Sequence, residues 1–179
     1  MRHDIKRILI SRQEIADRTR ELGEAITKDL HETGTNGEIV LVAVMTGSII
    51  FVADLMRHLP MKIRISLITA SSYVGASTTS SGEPILGAVP SDIAGKHVLL
   101  VDDILDSGRT LTKIRGELEQ LGPRSIRTCV LLRKKLESAM AVPCEYVGFD
   151  IEDEFVVGCG LDYDGYYRNL PDLGVIAPE

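Results

Sequence analysis

A helical repeat of hydrophobic positions begins close to the start of the chain. The sequence Ser-Arg-Gln-Glu at residues 11–14 has the pattern of a capping box. Apolar residues then recur on one helical face, at Ile15, Leu22, Ile26 and Leu30. Together these patterns predict a first helix over this region that ends near Gly34.

Unbroken apolar runs predict buried strands. Residues 39–44 are apolar throughout and mostly β-branched, and residues 98–101 are also apolar. Residues 126–132 are mostly apolar and predict another strand. Such runs are typical of strands that are covered on both faces, as in a parallel sheet. Residues 62–70 alternate instead, which predicts a further strand with Ile63, Ile65 and Leu67 on one face.

Helices are predicted between these strands. The turn at residues 46–48 leads into a helix that ends near Pro60, and Leu111, Ile114, Leu118 and Leu121 form the apolar face of another, closed by Gly122-Pro123. Short strands are predicted at residues 146–149, 155–157 and 173–177. This alternation predicts an α/β fold over residues 1–179, a single domain with a mainly parallel sheet flanked by helices. Ligands of such sheets bind beyond the carboxyl ends of the strands.

Residues 71–90 differ from the rest of the chain. They are rich in Ser, Thr and Gly and show no sustained hydrophobic period. Structureless loops of this length are uncommon in compact domains and are often lids or disordered segments. A mobile lid and a plain surface excursion both fit this composition.

Composition excludes several classes of function. The 179 residues carry a net charge of −6 with a pI near 5.3, which argues against a general binder of nucleic acids or membrane surfaces. Three widely spaced cysteines indicate neither a disulfide framework nor a zinc site, and Cys129 is predicted to be a core residue. No apolar run has membrane-spanning length, and the first residues are mixed polar. A cytoplasmic protein is therefore expected.

The chemistry is concentrated in the stretch VLLVDDILDSGRT at residues 98–110. An apolar strand runs into Asp102 and Asp103, and Asp106 precedes Ser-Gly at a predicted helix start. Free amides and the helix dipole favour a phosphate at such a start. The acids can hold sugar hydroxyls, bind Mg²⁺ through water, or take a proton. A ribose that carries a phosphate and a metal-bound leaving group has all the matching parts.

A structural explanation of this stretch is also open. Asp106 could be a plain N-cap of the following helix, with Asp102 and Asp103 as solvated acids at a strand end. Three acids with Ser-Gly-x-Thr after a buried strand favour the functional interpretation. A receiver domain gathers its acids from separate strands, and a P-loop requires a Gly-x-x-x-x-Gly-Lys pattern that this stretch lacks.

The stretch at residues 98–110 closely resembles the phosphoribosyl pyrophosphate (PRPP) signature of type I phosphoribosyltransferases. Two further stretches resemble hypoxanthine-guanine phosphoribosyltransferases: SSY at 71–73 is similar to their mobile lid, and EDEFVVGCGLDYDGYYRNL at 152–170 to their purine-binding segment. The resemblance implies a type I phosphoribosyltransferase fold with a lid loop at about 71–90. It also implies a small C-terminal, purine-binding hood at about 133–179.

The resemblance implies a role for each matching residue. Asp102 and Asp103 would hold the ribose hydroxyls, and Asp106 would be the acid–base residue facing the purine N7. The 5′-phosphate cradle would consist of Asp106, Ser107, Gly108, Arg109 and Thr110. The purine would be bound by Lys134 at its 6-oxo group, by Phe155 through stacking, by Val156 through backbone groups, and by Asp162. Pyrophosphate would be bound by Thr46, Gly47 and Arg168, Mg²⁺ by Asp102, Asp103 and Asp162, and the lid would contain Ser72 and Tyr73.

Each of the hood and lid residues also has a structural explanation. Lys134 could be surface charge, Phe155 a core residue, Asp162 and Arg168 a surface pair, and Tyr73 a loop aromatic. This chain departs from the pattern of the family it resembles at one position, because many family members carry Lys or Arg where Thr46 stands. The resemblance further implies that the peptide bond before Thr46 is often cis in the family.

The implied reaction transfers ribose 5-phosphate from PRPP to N9 of hypoxanthine or guanine, which gives IMP or GMP and pyrophosphate. Mg²⁺ is the implied cofactor, and a homodimer or homotetramer the implied assembly, with no nucleic-acid or membrane partner. Two alternatives remain: an enzyme that prefers xanthine, and a non-catalytic nucleotide-binding regulator on the same fold. The acidic net charge and the presence of Asp106 argue against the regulator.

Overall fold

The computed structural model describes residues 5–32, 38–71, 85–88, 90 and 92–176. In chain order its elements are β1 (Ile5–Ile10), α1 (Arg12–Glu32), β2 (Glu38–Met45), α2 (Ile49–Leu55), β3 (Lys62–Ser71), β4 (Ile85–Leu86), β5 (His97–Leu105), α3 (Arg109–Gln120), β6 (Ser125–Lys134), α4 (Glu137–Met140), β7 (Tyr146–Ile151), β8 (Val156–Val157) and β9 (Leu173–Ile176). A short 3₁₀ turn, Met56–His58, follows α2.

The main sheet has the strand order β4-β3-β2-β5-β6-β7. Strands β2, β3, β5, β6 and β7 are mutually parallel, and β4 pairs antiparallel with the end of β3. Helices cover both faces of this sheet. The predicted α/β domain with a mainly parallel, helix-flanked sheet is therefore confirmed.

The continuous apolar run in β2 has a direct physical reason. Its residues contribute alternately to two cores, Ile39, Leu41 and Ala43 to one and Val40, Val42 and Val44 to the other. Helices α1 and α2 pack on the first core, and α3 on the second. Because both faces of β2 are covered, neither can be polar. Cys129 is fully buried in the first core, as predicted.

The capping box at the start of α1 is confirmed. The Ser11 backbone N–H donates to Glu14 Oε2 at 2.8 Å, and the Glu14 backbone N–H donates to Ser11 Oγ at 3.3 Å. These reciprocal bonds satisfy amides that the helix itself cannot pair. Helix α1 is described as far as Glu32, and the predicted end at Gly34 lies outside the described residues.

A second sheet lies beside the main one. It has the order β1-β9-β8, and its strands are antiparallel. The sequence analysis did not predict β1, because Lys6 and Arg7 interrupt any apolar alternation and the strand is mostly exposed. The region predicted as a hood at about 133–179 contributes β8 and β9 to this sheet, while β7 belongs to the main sheet.

The predicted end of β5 was wrong. The strand predicted to end at residue 101 continues to Leu105, so Asp102 and Asp103 lie inside β5 rather than after it. Backbone pairing with β6 persists there, Asp102 opposite Val130 and Leu105 opposite Arg133, because it does not depend on side-chain charge.

The segment at 71–90 was predicted to lack structure, but part of it is regular. Strand β3 extends to Ser71, β4 lies at Ile85–Leu86, and the Gly87 backbone N–H donates to the Thr69 carbonyl at 2.8 Å. Residues 72–84 lie outside the described residues, and with them Ser72, Tyr73 and the prediction of a mobile lid. Within the described parts of the chain, no helix is both long and apolar enough to cross a membrane.

Candidate active site

A cavity of about 300 Å³ opens at the carboxyl ends of β2 and β5, where the sheet topology predicts a ligand site. Its lining includes most of the residues predicted for ribose, phosphate, pyrophosphate and Mg²⁺: Thr46, Gly47, Asp102, Asp103, Asp106, Ser107, Gly108, Thr110, Asp162 and Arg168. Arg109 is the exception. It is exposed at the first position of α3 and is absent from the lining, so the cradle has no guanidinium from this residue.

A second cavity of about 170 Å³ adjoins the first. It is lined by Lys134, Phe155 and Val156, the predicted purine-binding residues, and also by Glu154 and Leu161. The two cavities share Asp103, Ile104, Asp106 and Asp162. Asp106 therefore lies where the two cavities meet, in position to act on an atom between them.

The loop after β5 leads into a helix start without a side-chain cap. Gly108 is the N-cap of α3, with φ of +83°, and among the described residues no side chain caps the helix. A Cβ at this position would lie 2.4 Å from Val142 Cγ2, so the loop requires glycine for both conformation and space. Asp106 is therefore not the N-cap that the structural explanation required, and the first amides of α3 are open to an anion.

Asp102 and Asp103 form a buried pair of acids. Burial, with the neighbouring charge of Asp103, raises the pKa of Asp102 well above its usual range. Burial likewise raises the pKa of Asp103, although hydrogen bonds and the charge of Arg168 oppose the shift. Each carboxylate also accepts a backbone N–H, Asp102 from Asp103 at 2.9 Å and Asp103 from Ile104 at 2.8 Å. The two hydrogen bonds therefore orient this pair of acids, and burial disfavours its charged form.

These acids fit a Mg²⁺ ion only as a partial set of ligands. Hard carboxylate oxygens suit the ion, and a divalent cation would neutralise the buried pair. Among the described residues, no group of three His, Cys, Asp or Glu side chains could hold a metal ion. Mg²⁺ commonly binds one or two carboxylates together with substrate phosphates, and these residues match that arrangement.

We expect Asp102→Asn to stabilise the free protein. The raised pKa means that the folded chain binds more protons than the unfolded chain above a pH of about 4, so its stability rises as pH falls toward that value. The Asn variant lacks the ionisable carboxyl and keeps the Oδ1 acceptor. At pH 7 we expect a higher Tm than that of the wild type and a flatter dependence of Tm on pH.

Calorimetry of the free variant from pH 5 to 8 measures this effect. Asp17→Asn, at an exposed position on α1, is the control and should leave Tm unchanged. A lower Tm for Asp102→Asn at pH 7 would show that the carboxylate is favourable where it lies.

Lys134 forms the polar side of the purine cavity. It is the last residue of β6, and its ammonium lies 3.1 Å from Asp106 Oδ1 and 2.8 Å from Asp153 Oδ1. Burial lowers the pKa of Lys134, but the hydrogen bonds to Asp153 and Asp106 together outweigh burial and raise it. Only 12% of the side chain is exposed, so Lys134 is not the surface charge that its sequence neighbours suggested.

Phe155 is presented to the cavity and is not a core residue. It is 41% exposed, and its ring meets Tyr163 edge to face with the centroids 5.3 Å apart. The next residue, Val156, is buried in β8 and fixes the position of the segment. An exposed aromatic ring held at its edge can stack on a planar ligand.

Asp162 and Arg168 are paired at the rim of the first cavity. Arg168 Nη2 lies 2.8 Å from Asp162 Oδ1, and Arg168 Nη1 donates to the Gly160 carbonyl at 2.7 Å. The Gly165 backbone N–H donates to Asp162 Oδ2 at 2.8 Å. Both side chains are thus held in place by the loop that carries them, and the guanidinium faces the cavity that the acids also line.

The loop at Thr46-Gly47 touches this region directly. The Met45–Thr46 peptide bond is cis. A Cβ on Gly47 would lie 1.8 Å from Asp103 Oδ2, and a Cβ on Gly160 would lie 2.1 Å from the Gly47 carbonyl oxygen. The sequence analysis missed Gly160, as it missed Asp153, because neither position carries a local signal of these long-range contacts.

Comparison with known proteins bears on this site. The family model described as a phosphoribosyl transferase domain matches residues 11–164. A hypoxanthine-guanine phosphoribosyltransferase of Mycobacterium tuberculosis strain H37Rv is 43% identical, with 98% of this chain and 88% of that protein covered. The chain belongs to the hypoxanthine phosphoribosyltransferase family. The family member of Escherichia coli K12 is 42% identical, with 98% of this chain and 97% of that protein covered.

Solved structures of family members have the same fold. A hypoxanthine-guanine phosphoribosyltransferase from Bacillus anthracis, with HEPES in its active site, is 38% identical with a TM-score of 0.87, over 97% of this chain and 99% of that one. A Trypanosoma cruzi hypoxanthine phosphoribosyltransferase mutant complexed with its product IMP is 35% identical with a TM-score of 0.85, over 98% of this chain and 92% of that one. The family recognised in residues 98–110 and 152–170 is confirmed.

Proposed function

We propose that this chain transfers the 5-phosphoribosyl group of PRPP to N9 of hypoxanthine or guanine, giving IMP or GMP and pyrophosphate, as part of purine salvage. The observation that carries the proposal is the meeting of two cavities at Asp106. One offers a helix start and a pair of acids, and the other offers the ammonium of a mostly buried lysine and an exposed aromatic ring. The first suits a sugar phosphate and the second a 6-oxopurine.

The ribose and its phosphate would occupy the larger cavity. Ser107, Gly108 and Thr110 would bind the 5′-phosphate through amides and hydroxyls at the start of α3. Asp102 and Asp103 would accept hydrogen bonds from the ribose hydroxyls. Their negative charge also suits the positive charge that develops on the sugar when a glycosidic bond breaks.

Bond making and breaking would take place at C1 of the ribose. The bond from C1 to the pyrophosphate oxygen breaks, and the bond from C1 to purine N9 forms. The purine then loses the proton on N7, and Asp106 would accept that proton. Mg²⁺, held by the acids and by substrate oxygens, would make pyrophosphate a better leaving group by neutralising its charge. Arg168 and the Thr46-Gly47 loop line the same cavity and would bind the departing pyrophosphate.

Lys134 supports the choice of base. An ammonium donates hydrogen bonds and accepts none, so it pairs with a 6-oxo group and leaves a 6-amino group unsatisfied. A site that donates a hydrogen bond to a substrate group rejects an analogue that cannot accept that bond, often by factors of about 10⁴. Phe155 would stack on the base, and this stacking does not depend on whether the purine carries a 6-oxo or a 6-amino group.

One assay tests the proposal. With PRPP and Mg²⁺, we expect release of pyrophosphate with hypoxanthine or guanine and none above background with adenine. Faster turnover of xanthine than of hypoxanthine and guanine would favour the alternative enzyme that prefers xanthine. Binding of GMP without turnover of any base would favour the nucleotide-binding regulator.

We also propose that the chain self-associates, as the homodimer or homotetramer that the resemblance implies. Four large apolar side chains of α2 and β3 are exposed: Ile49 at 45%, Ile50 at 40%, Ile65 at 47% and Leu67 at 57%. Ile65 and Leu67 share one face of β3, whose outer edge pairs only with β4 within the described residues. An apolar surface of this kind on a small α/β domain is typical of a subunit interface.

Light scattering on purified protein tests the assembly. We expect Leu67→Asp to reduce the molar mass to that of one chain, because a carboxylate on this face would lose its water on association. Met140→Asp, an equally exposed apolar position on α4, is the control and should leave the mass unchanged. A monomeric wild-type chain would refute the proposal. The cytoplasmic location expected from the sequence stays a prediction.

A further inference from the structure

Two acids share the ammonium of Lys134, and only one of them lines the cavities. Asp153 Oδ1 lies 2.8 Å from Lys134 Nζ, and Asp106 Oδ1 lies 3.1 Å from the same atom. Asp153 is absent from the lining of both cavities. It lies in the connection between β7 and β8, two residues before Phe155.

The connection that carries Asp153 is held firmly. The Lys135 backbone N–H donates to the Ile151 carbonyl at 2.9 Å, and the Glu154 backbone N–H donates to the Glu152 carbonyl at 2.8 Å. The Glu154 side chain accepts a hydrogen bond from Arg7 of β1 at 2.7 Å. Asp153 is therefore a fixed anchor beside the end of β6, rather than an acid on a loose loop.

The shared ammonium creates a conflict that Asp153 can resolve. When a purine binds, Asp106 needs a free oxygen to accept the proton, and Lys134 must turn to the 6-oxo group. An ammonium that remained on Asp106 would keep Oδ1 occupied as its hydrogen-bond acceptor. With Asp153 as a second anion, Lys134 can leave Asp106 and still have a charged partner. An ammonium has three donors, so it can bind Asp153 and a purine oxygen together.

We propose that Asp153 is a positioning residue for the purine: it holds Lys134 toward the 6-oxo group and frees Asp106 for the proton. The inference rests on the proposed function, because it assigns Asp153 a part in binding the same base. It goes beyond that function in naming a residue outside both cavities that determines how well a 6-oxopurine is held.

The test is Asp153→Asn, with Glu152→Gln as the matched control. Glu152 is the preceding residue and lies 2.7 Å from the Lys135 ammonium, so each change removes an exposed acid that pairs with a lysine, and only the Lys134 side chain is mostly buried. We expect Asp153→Asn to raise KM for hypoxanthine about ten-fold, the usual scale for one charge-assisted hydrogen bond, with KM for PRPP within two-fold of wild type. Glu152→Gln should leave both values unchanged, and Asp153→Glu should restore most of the affinity for hypoxanthine.

Both acids are exposed, so we expect neither variant to shift Tm by more than about 2 °C. A KM for hypoxanthine that stays within two-fold of wild type in Asp153→Asn would refute the inference and leave the proposed function intact. A parallel rise in both KM values would also refute it, since a structural disturbance would act on both substrates. A wild-type chain that consumes no hypoxanthine with PRPP would instead refute the proposed function, and the inference with it.

Discussion

Asp106→Asn is expected to lower kcat by about 10²–10⁴ while GMP still binds, because the change removes the proton acceptor and keeps the shape of the side chain. Asp106 lies where the two cavities meet, and its carboxylate contacts Lys134. In the variant, Lys134 keeps its bond to Asp153, so the purine cavity should remain formed. Steady-state kinetics measures the loss, and titration calorimetry with GMP measures the binding.

Ser107→Ala provides the matched comparison for Asp106→Asn. Of the two cavities, Ser107 lines only the larger one, where the phosphate would bind. It takes no part in proton transfer in the proposed reaction. We expect it to weaken GMP binding and raise KM for PRPP, with a much smaller effect on kcat. If Asp106→Asn kept the wild-type kcat, Asp106 would have no role in proton transfer, and the proposed mechanism would be wrong.

The second large effect is expected for Gly160→Ala. A Cβ at Gly160 would lie 2.1 Å from the Gly47 carbonyl oxygen, and the residue has φ of +100°. The clash is with a backbone atom, so the loop that carries Gly160 and the loop at Thr46-Gly47 must move apart. Displacing groups in an active site by about 1 Å can reduce activity by about 10², and we expect a loss of that order in kcat/KM.

Gly165→Ala separates the clash from the backbone strain. Gly165 also has a positive φ, +79°, but a Cβ there would meet no atom of the described part of the chain within 4 Å. Both variants should lose about 1–2 kcal/mol of stability from the left-handed conformation, and only Gly160→Ala should lose most of its activity. Thermal unfolding measures the loss of stability of both variants, and kcat/KM measures their loss of activity. Equal activities would show that the contact between the two loops is unimportant for activity.

Much of the fold followed from local patterns. The apolar run in β2 identified a strand covered on both faces, and the capping box at Ser11 located the start of α1. Strand β1 was missed because its position depends on pairing with β9 at the far end of the chain, which no local pattern reveals. The end of β5 was predicted too early because the acids were taken as the end of the strand, although backbone pairing with β6 continues past them.

The family and most candidate site residues were visible in the sequence. The signature at residues 98–110 is contiguous, since a single strand, loop and helix start contribute most of the phosphate and ribose groups. Lys134, Phe155 and Asp162 were identified by resemblance, and the structure brings them to the same cavity. Arg109 was predicted to be part of the cradle, and its side chain instead lies at the exposed start of α3.

By itself, then, the sequence determined the class of fold, the family and the contiguous phosphate and ribose segment, because periodicity and a short motif are local properties of a chain. Tertiary structure decided the contacts between segments: Asp153 on Lys134, Gly160 against Gly47, and the burial that raises the pKa of Asp102. These depend on distances between residues far apart in the chain and on exclusion of water. Both arise only when the two sheets and their connecting loops pack together.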